Sequence, residues 1–323
     1  KKILLIPEDH TRNTYYLENV YVIKNILEKA GKEVVLGSLT FTESQELKTS
    51  SGKEIKIDFI KRENDRIFCG KERFDADIIV VNNDLTVGAP EILQEIKQPV
   101  VPPVGMGWYR RRKSVHFAAY ETVTRNFSNE FGFDPFFIST AFHHCGMVNF
   151  KAKEGLECVA VGVEKVLHIL KQKYEQHGIK QEPYVFIKSD KGTYGMGIMT
   201  ARSSGEVFEM NKKIRNKMDV IKGGEINAEV IIQEGVPTID VIDGKSAEPV
   251  VYLVNAKPVG LFYRVNESKD NLSNLNSPGM TFSNENFCDD YIEKNPDKTS
   301  ICNMKVLGLI SRLAALAAAK EYY

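Results

Sequence analysis

The sequence predicts a mixed α/β and α+β fold, with an open α/β sheet in the N-terminal third and α+β structure in the remainder. Apolar runs and amphipathic segments alternate through residues 1–105, as in a parallel β-α-β sheet. The C-terminal third instead contains three successive strand patterns and one final helical pattern. A chain of 323 residues is also too long to form a single small hydrophobic core, so two or three lobes are expected.

The N-terminal lobe is predicted over residues 1–107. Apolar residues at steps of three and four indicate each helix, and short apolar runs indicate each strand. The predicted helices lie at 15–30 and 89–96, and the predicted strands lie at 3–6, 33–36, 55–59, 66–69, 78–81 and 100–101.

The rest of the chain is predicted to form two further parts, 108–235 and 236–323. Two prolines and two glycines between 102 and 107 mark the first boundary, and a basic cluster at 110–113 follows it. The predicted helices lie at 114–131, 155–176 and 304–320, and the predicted strands lie at 184–187, 229–233, 249–254 and 259–265.

Composition narrows the classes of protein. Lys plus Arg and Asp plus Glu both number 43, and this balance disfavours a nucleic-acid-binding protein. No apolar stretch approaches the ~20 residues that cross a bilayer, so no membrane partner is expected. Five scattered cysteines without CxxC spacing indicate reduced thiols in a cytoplasmic protein. His143, His144 and Cys145 are adjacent, but the lack of a second ligand pair at suitable spacing disfavours a zinc site.

The strongest chemical signal is a lysine at the end of a strand, followed by a glycine-rich loop. Lys188 ends the apolar run, and Gly192, Gly195 and Gly197 follow it. Glycine lets backbone N–H groups approach an anion closely, and lysine adds positive charge, so the pattern favours a phosphate-binding loop. It matches neither a Walker A loop nor a dinucleotide-binding fingerprint. Taken alone, the loop is also compatible with a structural hairpin.

The order of segments after this loop is more specific. An apolar strand ends in Gln233 and Glu234, a later strand opens with Glu248, the next carries Arg264, and a polar loop follows at 274–279. This order resembles the ATP-grasp superfamily. Longer segments are similar to the bacterial glutamate–cysteine ligases of ATP-grasp type, namely residues 6–13, 82–85, 107–108, 111–114, 192–197, 215–218, 274–276 and 278–279.

The resemblance implies an ATP-grasp fold behind the open-sheet lobe, together with a reaction. ATP phosphorylates the γ-carboxylate of glutamate, and the amine of cysteine then displaces phosphate to give γ-glutamylcysteine, the first step of glutathione synthesis. ATP and Mg²⁺ are the implied cofactors, and glutamate and cysteine are the implied small-molecule partners. Ligation of another amino acid pair and a non-catalytic ATP-binding regulatory module remain the alternatives, and homo-oligomerisation stays open.

The resemblance also implies roles for particular residues, because a triphosphate and a carboxylate must be held together by cations. Lys188 and Arg264 are expected to act in catalysis, and Glu248 and Asn276 to bind the metal. Arg12, Asn13, Arg111 and Asn274 are the candidates for substrate binding, with a helix cap as the equal alternative for the first two. The expected ATP contacts are Lys113, Lys188, Gly192, Thr193, Tyr194, Gly195, Gly197, Gln233, Glu234 and Gly235.

One part of the superfamily pattern is missing. ATP-grasp enzymes typically carry a strand with an acid-x-Asn pair after the last helix, whereas this chain ends at Tyr323. The chain also opens on a strand pattern without a methionine. We therefore hypothesise that an additional N-terminal segment supplies the metal-binding strand in a permuted order. Ser273 stands beside Asn274 where an acid is expected, which weakens a metal role for Asn274.

Overall fold

The structure, a computed structural model, describes residues 1–8, 13–192, 197–219, 228–277, 279–283 and 304–322. The chain divides into two compact units, Lys1–Arg110 and Arg111–Tyr323. The finer division into three parts at 107/108 and 235/236 stays a prediction. Across the described ranges, every helix is too short or too polar to cross a membrane.

The first unit combines one long helix with a mainly parallel sheet. Its elements within the described residues are β1 (Lys2–Pro7), α1 (Thr14–Lys29), β2 (Glu33–Ser38), β3 (Gln45–Lys48), β4 (Glu54–Glu63), β5 (Arg66–Cys69), β6 (Phe74–Asp75), β7 (Ile78–Asn82) and β8 (Val100–Val101). The strand order is β6-β5-β4-β2-β1-β7-β8, with β3 beside β4. The pairs from β4 through β8 are parallel, whereas β3, β5 and β6 are added antiparallel. The predicted open parallel sheet is confirmed.

Strand β1 lies in the middle of this sheet and is buried on both faces. Leu4 and Ile6 belong to one apolar cluster, and Ile3 and Leu5 belong to the cluster on the other face. A continuous apolar run is typical of a parallel strand that is covered on both sides. The carboxyl ends of β1 and β7 therefore lie side by side, and the Glu8 carboxylate there accepts a hydrogen bond from a backbone N–H at 2.6 Å.

The helix predicted at 89–96 is wrong. Only Glu91–Leu93 forms a short 3-10 helix, and Glu95 adopts a left-handed φ of 54°, which ends any helical path. The buried Gln98 explains the difference, because its side chain accepts a hydrogen bond from Ile67 N at 2.6 Å and donates one to Ile67 O at 2.9 Å. This tertiary contact ties the segment to the sheet and overrides its helical periodicity.

The second unit contains two antiparallel four-stranded sheets and five helices within the described residues. The helices are α2 (Lys113–Phe131), α3 (Leu156–Gln176), α4 (Gly205–Phe208), α5 (Lys212–Asp219) and α6 (Met304–Tyr322). The strands are β9 (Phe142–Cys145), β10 (Val185–Ser189), β11 (Ile198–Ala201), β12 (Val230–Glu234), β13 (Asp240–Ile242), β14 (Lys245–Val254), β15 (Lys257–Asn266) and β16 (Met280–Ser283). The predicted long helices are confirmed, whereas β9, β11, β13 and β16 had not been predicted.

Helix α3 covers one face of the sheet β11-β10-β12-β9. Its buried stripe includes Val159, Val163 and Leu170, which recur at helical spacing and meet Val185 and Ile187 of β10. Because side chains alternate along a strand, Phe186 and Lys188 of β10 point to the opposite face. That opposite face carries the candidate site. The second sheet has the order β13-β14-β15-β16.

Candidate active site

Lys188 lies on the face of β10 that α3 leaves uncovered. Its Nζ donates a hydrogen bond to Gln233 Oε1 at 2.9 Å and lies 4.9 Å from the centroid of the Phe186 ring. Burial lowers the pKa of Lys188 to about 8, and the nearby carboxylate of Glu248 offsets part of this effect. An ammonium group has three N–H donors. Only one of the three has an acceptor within the described residues, so the side chain is suited to an anionic ligand.

Lys113, at the start of α2, is engaged differently. Its Nζ donates to three backbone carbonyl groups, those of Ser189 at 2.8 Å and of Lys191 and Gly192 at 3.0 Å each. Burial lowers the pKa of Lys113 to about 8, and the positive charge of Lys188 adds to this lowering. All three ammonium donors are thus used to hold the base of the glycine-rich loop. Lys113 is placed to fix the shape of this loop, and its predicted direct contact with ATP stays a prediction.

The buried Asp190 connects the start of α2 to the end of β10. Its carboxylate accepts hydrogen bonds from Ser114 N and Ser114 Oγ, both at 2.7 Å, while its own N–H donates to Glu229 O at 2.9 Å. The N-cap residue Arg112 makes no side-chain cap. Asp190 therefore supplies from a distant part of the sequence the carboxylate that helix N-termini favour.

Two glycines with left-handed backbone conformations flank the glycine-rich loop where it leaves β10 and where it ends. Gly192 and Gly197 have φ values of 79° and 61°, in the left-handed region that glycine adopts without strain. Ser189 N donates to Gly197 O at 3.2 Å, which brings the two ends of the loop together. The predicted ATP contacts Thr193, Tyr194 and Gly195 lie outside the described residues.

Arg264 and Glu248 face each other across β14 and β15. They are register partners, and Arg264 Nη1 donates to Glu248 Oε1 at 2.6 Å. Arg264 Nε is buried and has no hydrogen-bond partner within the described residues. Buried donors of charged groups are almost always paired. An anionic ligand beside Arg264 would supply the missing acceptor, and Glu248 is near enough to Lys188 for its charge to raise the pKa of that lysine.

The polar loop after β15 is attached to this site by a residue that sequence reasoning missed. Asn266 is fully buried, and its Nδ2 donates to Ser277 Oγ at 3.1 Å. Within the loop, Asn274 bonds the backbone of Asn276 in both directions, accepting from its N–H at 3.2 Å and donating to its carbonyl at 3.1 Å. Among the described residues, none makes a hydrogen bond to the side chain of Asn276, so its amide oxygen is available as a ligand.

Asn274 also lines a cavity of about 500 Å³. Phe186, from the same face as Lys188, and Lys217 of α5 also line it. The cavity therefore joins the sheet that carries the glycine-rich loop to the loop at 274–277. Its walls combine an aromatic ring with polar groups, as ligand pockets generally do.

The strand end at 233–235 presents its residues to two different faces. Gln233 is paired with Phe186 in register and bonds Lys188, whereas Glu234 is paired with Val185 and so points toward the α3 side. There the Glu234 carboxylate accepts a hydrogen bond from Ala141 N at 3.2 Å, and burial raises the pKa of Glu234 to about 7. An ATP contact from Glu234 would thus involve its backbone.

Gly235 has a packing role in addition to its predicted ATP contact. A Cβ atom at this position would lie 2.3 Å from the Tyr184 ring, so only glycine fits there. Gly235 N donates to Tyr184 O at 2.8 Å. The close packing fixes the course of the chain as it leaves β12.

Arg111 and Asn13, two of the predicted substrate ligands, make hydrogen bonds to other residues of the protein. Arg111 donates to both carboxylate oxygens of the buried Glu321, from Nε at 2.9 Å and from Nη2 at 2.8 Å, and His116 contacts the same carboxylate. Asn13 caps α1, with its Oδ1 accepting from Tyr16 N at 3.1 Å. Arg12 lies outside the described residues. The substrate roles of all three stay predictions.

Sequence reasoning also missed Asp190 and Ser114. Asp190 is the first residue after strand β10, and Ser114 is the first residue after the basic cluster at 110–113. The residues next to each of them had been recognised as candidates. The two residues themselves are joined by hydrogen bonds across 76 positions of the sequence. An acid after a strand and a serine at a helix start gave only a weak signal of this contact.

With this geometry in place, the comparison with protein families identifies the chain. The glutamate-cysteine ligase (GshA) family matches residues 1–322. The chain belongs to this family. The family predicted from the sequence is confirmed. The open sheet of the first unit and the two antiparallel sheets of the second confirm the predicted α/β and α+β fold class.

A solved structure supports membership in the glutamate-cysteine ligase family. A protein of Methylobacillus flagellatus KT assigned as a gamma-glutamylcysteine synthetase is 40% identical, with a TM-score of 0.86, over 99% of this chain and 76% of that chain. The D-cycloserine synthetase DcsG is more remote, at 8% identity and a TM-score of 0.49, over 99% of this chain and 82% of that one. Among curated proteins, no match was found.

Proposed function

We propose that the protein is an ATP-dependent ligase that joins the γ-carboxylate of glutamate to the amine of cysteine. Its family membership supports this reaction, and the structural observation that carries the proposal is the convergence of Lys188, Arg264 and Glu248. Two cationic side chains with unused donors beside one carboxylate suit a site for a triphosphate, a carboxylate and a metal ion. Carboxylate oxygen attacks the γ-phosphorus with loss of ADP, and cysteine nitrogen then attacks the acyl carbon with loss of phosphate and a proton.

Lys188 and Arg264 are proposed to neutralise the charge that develops during phosphoryl transfer. Positioned cations in a site with little water lower the barrier of such reactions strongly. The free Nε of Arg264 is suited to a phosphoryl oxygen, and the unused donors of Lys188 to a neighbouring phosphate. Lys113 and Asp190 are proposed to act indirectly, by holding the base of the glycine-rich loop.

ATP-grasp ligases use ATP and a divalent metal, and we infer that the metal here is Mg²⁺. The Glu248 carboxylate and the Asn276 amide oxygen would hold it, because Mg²⁺ prefers hard oxygen ligands and commonly takes one or two carboxylates in addition to phosphate oxygens. Bound metal would neutralise charge on the phosphates. One carboxylate fits a single ion, so a second ion would need further ligands.

The decisive test measures ADP formation by the protein with Mg–ATP and glutamate, with and without cysteine. We expect ADP to appear only when both amino acids are present, together with a product of the mass of γ-glutamylcysteine. Alanine and glycine replace cysteine in parallel reactions. Turnover with another pair would retain the ligase and overturn the choice of substrate, whereas ATP binding without turnover would favour a regulatory module.

The remaining predictions concern the cellular location and the oligomeric state of the protein. A cytoplasmic location agrees with the free thiols of Cys69, Cys145 and Cys158. Homo-oligomerisation is open, and light scattering on the purified protein would determine it.

A further inference from the structure

Two thiols and one imidazole come together in the second unit, on the side of the sheet opposite to Lys188. They are His143, Cys145 and Cys158, and one ligand atom from each lies within 4.8 Å of those of the other two. Sequence spacing disfavoured a metal site because His143, His144 and Cys145 have no second ligand pair at suitable spacing. Folding supplies one further ligand, Cys158 of α3, thirteen residues after Cys145.

The fold produces this cluster from a strand and a helix. His143 and Cys145 pair with Ile232 and Val230 of β12, and both partners belong to the core under α3. The two side chains are two residues apart on β9 and therefore share the face that α3 covers. Cys158 lies in the first turn of α3. The ligands thus come from two elements that are already packed together.

Helix α3 also leaves space for the imidazole ring. A Cβ atom on Gly162 would lie 2.7 Å from His143 Cδ2, so a larger residue here would displace the ring. Gly162 and Cys158 are four residues apart and lie on the same face of the helix. A glycine inside a helix costs roughly 1 kcal/mol relative to alanine, so this helix gives up stability where the ring of His143 lies against it.

The three groups differ in access to solvent in a way that suits a metal. Cys145 is buried, His143 is half-buried and Cys158 is exposed, so the cluster lies at the edge of the core with an open route to solvent. The nitrogen ligand of the cluster is the imidazole of His143, a common metal ligand in proteins. No described residue makes a hydrogen bond to this imidazole, so its nitrogens are available.

We propose that His143, Cys145 and Cys158 form a site for a thiophilic d¹⁰ metal ion such as Zn²⁺. Two thiolates and one imidazole are a ligand set that Zn²⁺ prefers, and a three-ligand site keeps a fourth position open. Tetrahedral Zn–S bonds of ~2.3 Å place ligand atoms about 3.7 Å apart, so closure requires side-chain movements of about 1 Å. Two thiols release protons as the metal binds, and the open position takes water or a small thiol.

The experiment titrates the complete chain, reduced and free of metal, with Co²⁺ and then with Zn²⁺. Bound Co²⁺ at a thiolate site gives charge-transfer absorption in the near ultraviolet, whereas Co²⁺ held by oxygen ligands beside ATP gives none. We expect one equivalent to produce this absorption and Zn²⁺ to abolish it. In Cys158→Ser, whose side chain is exposed and whose folding is not at risk, affinity should fall by at least about tenfold.

Matched controls separate this site from other thiols in the chain. Cys69→Ser removes a buried thiol of the first unit, and the double variant Cys288→Ser with Cys302→Ser removes the two remaining cysteines. All should retain the Co²⁺ absorption, and His143→Gln should weaken it. Absence of thiolate absorption in the wild-type chain, or its loss in either control, would overturn the proposal. The readout does not use ligase activity and is independent of the proposed reaction.

Discussion

The pKa of Lys188 gives a quantitative prediction for ATP binding. Burial lowers this pKa to about 8 in the free protein, so the ammonium loses its proton just above neutral pH. The protonated fraction then falls about tenfold for each further pH unit. If the charge on Lys188 holds a phosphate, the Kd for Mg–ATP rises by roughly a factor of ten between pH 7 and pH 9. A matching loss at Lys113, whose pKa is also about 8, makes the rise steeper.

A single isosteric change shifts this transition. Gln233 Oε1 accepts a hydrogen bond from Lys188 Nζ at 2.9 Å, and Gln233→Glu places a carboxylate oxygen at the same position. A carboxylate this close raises the pKa of an amine by about 1–3. The alkaline weakening of ATP binding should therefore move upward by about 1–3 pH units in the variant. Gln172→Glu, at an exposed position of α3, adds the same charge away from the site and serves as the control.

Calorimetry provides the assay, with Kd for Mg–ATP measured between pH 7 and pH 10 in the absence of both amino acids. This arrangement removes the titration of cysteine from the profile. Wild type and Gln172→Glu should weaken together near pH 8, and Gln233→Glu should weaken later. An unchanged transition in Gln233→Glu, or a wild-type Kd that is constant up to pH 9.5, would refute the role of Lys188.

Three further predictions test other parts of the site. Arg264→Lys removes the unpaired buried Nε, and kcat should fall by about 10²–10³ while the Kd for Mg–ATP changes less than tenfold, as steady-state rates and calorimetry will show. Asp190→Asn replaces the carboxylate that accepts from Ser114, and urea unfolding should give a loss of about 1–2 kcal/mol, whereas an unchanged midpoint would contradict its capping role. Glu234 has a pKa raised from 4.5 to about 7, so the folded state holds a proton that the unfolded state releases, and stability falls as pH rises from 4.5 through 7. Glu234→Gln should therefore be more stable than wild type by up to roughly 3 kcal/mol at pH 8 and nearly equal at pH 4.5, and an equal difference at both pH values would contradict this assignment.

The elements predicted correctly from the sequence are those with a long local pattern. Helix α3 was predicted within a residue of its observed bounds, because its apolar stripe continues over twenty residues and depends on no distant contact. Strand β9 was missed for the opposite reason. Its four residues Phe142–Cys145 show no apolar alternation, and pairing with β12 alone places them in the sheet.

The same distinction holds for the site. Lys188 and the glycines of its loop form one continuous segment, so a phosphate-binding role for them could be proposed from adjacent residues alone. The pairing of Arg264 with Glu248 depends on the register of β14 and β15, which contains an irregularity near Tyr252 that no sequence pattern specifies. The threefold contact of Lys113 depends on a helix start meeting a strand end in space.

The contact of Lys113 with three carbonyl groups also determines where the opposite ends of those peptide groups point. In a trans peptide unit the C=O and the following N–H are antiparallel. The carbonyl of Ser189 faces the ammonium, and the N–H that follows it, on Asp190, is directed elsewhere, to Glu229 O. By the same geometry, the carbonyl of Lys191 turns the N–H of Gly192 away from the ammonium. One buried positive charge thus orients the peptide dipoles at the loop base, with the three carbonyl oxygens turned toward the ammonium.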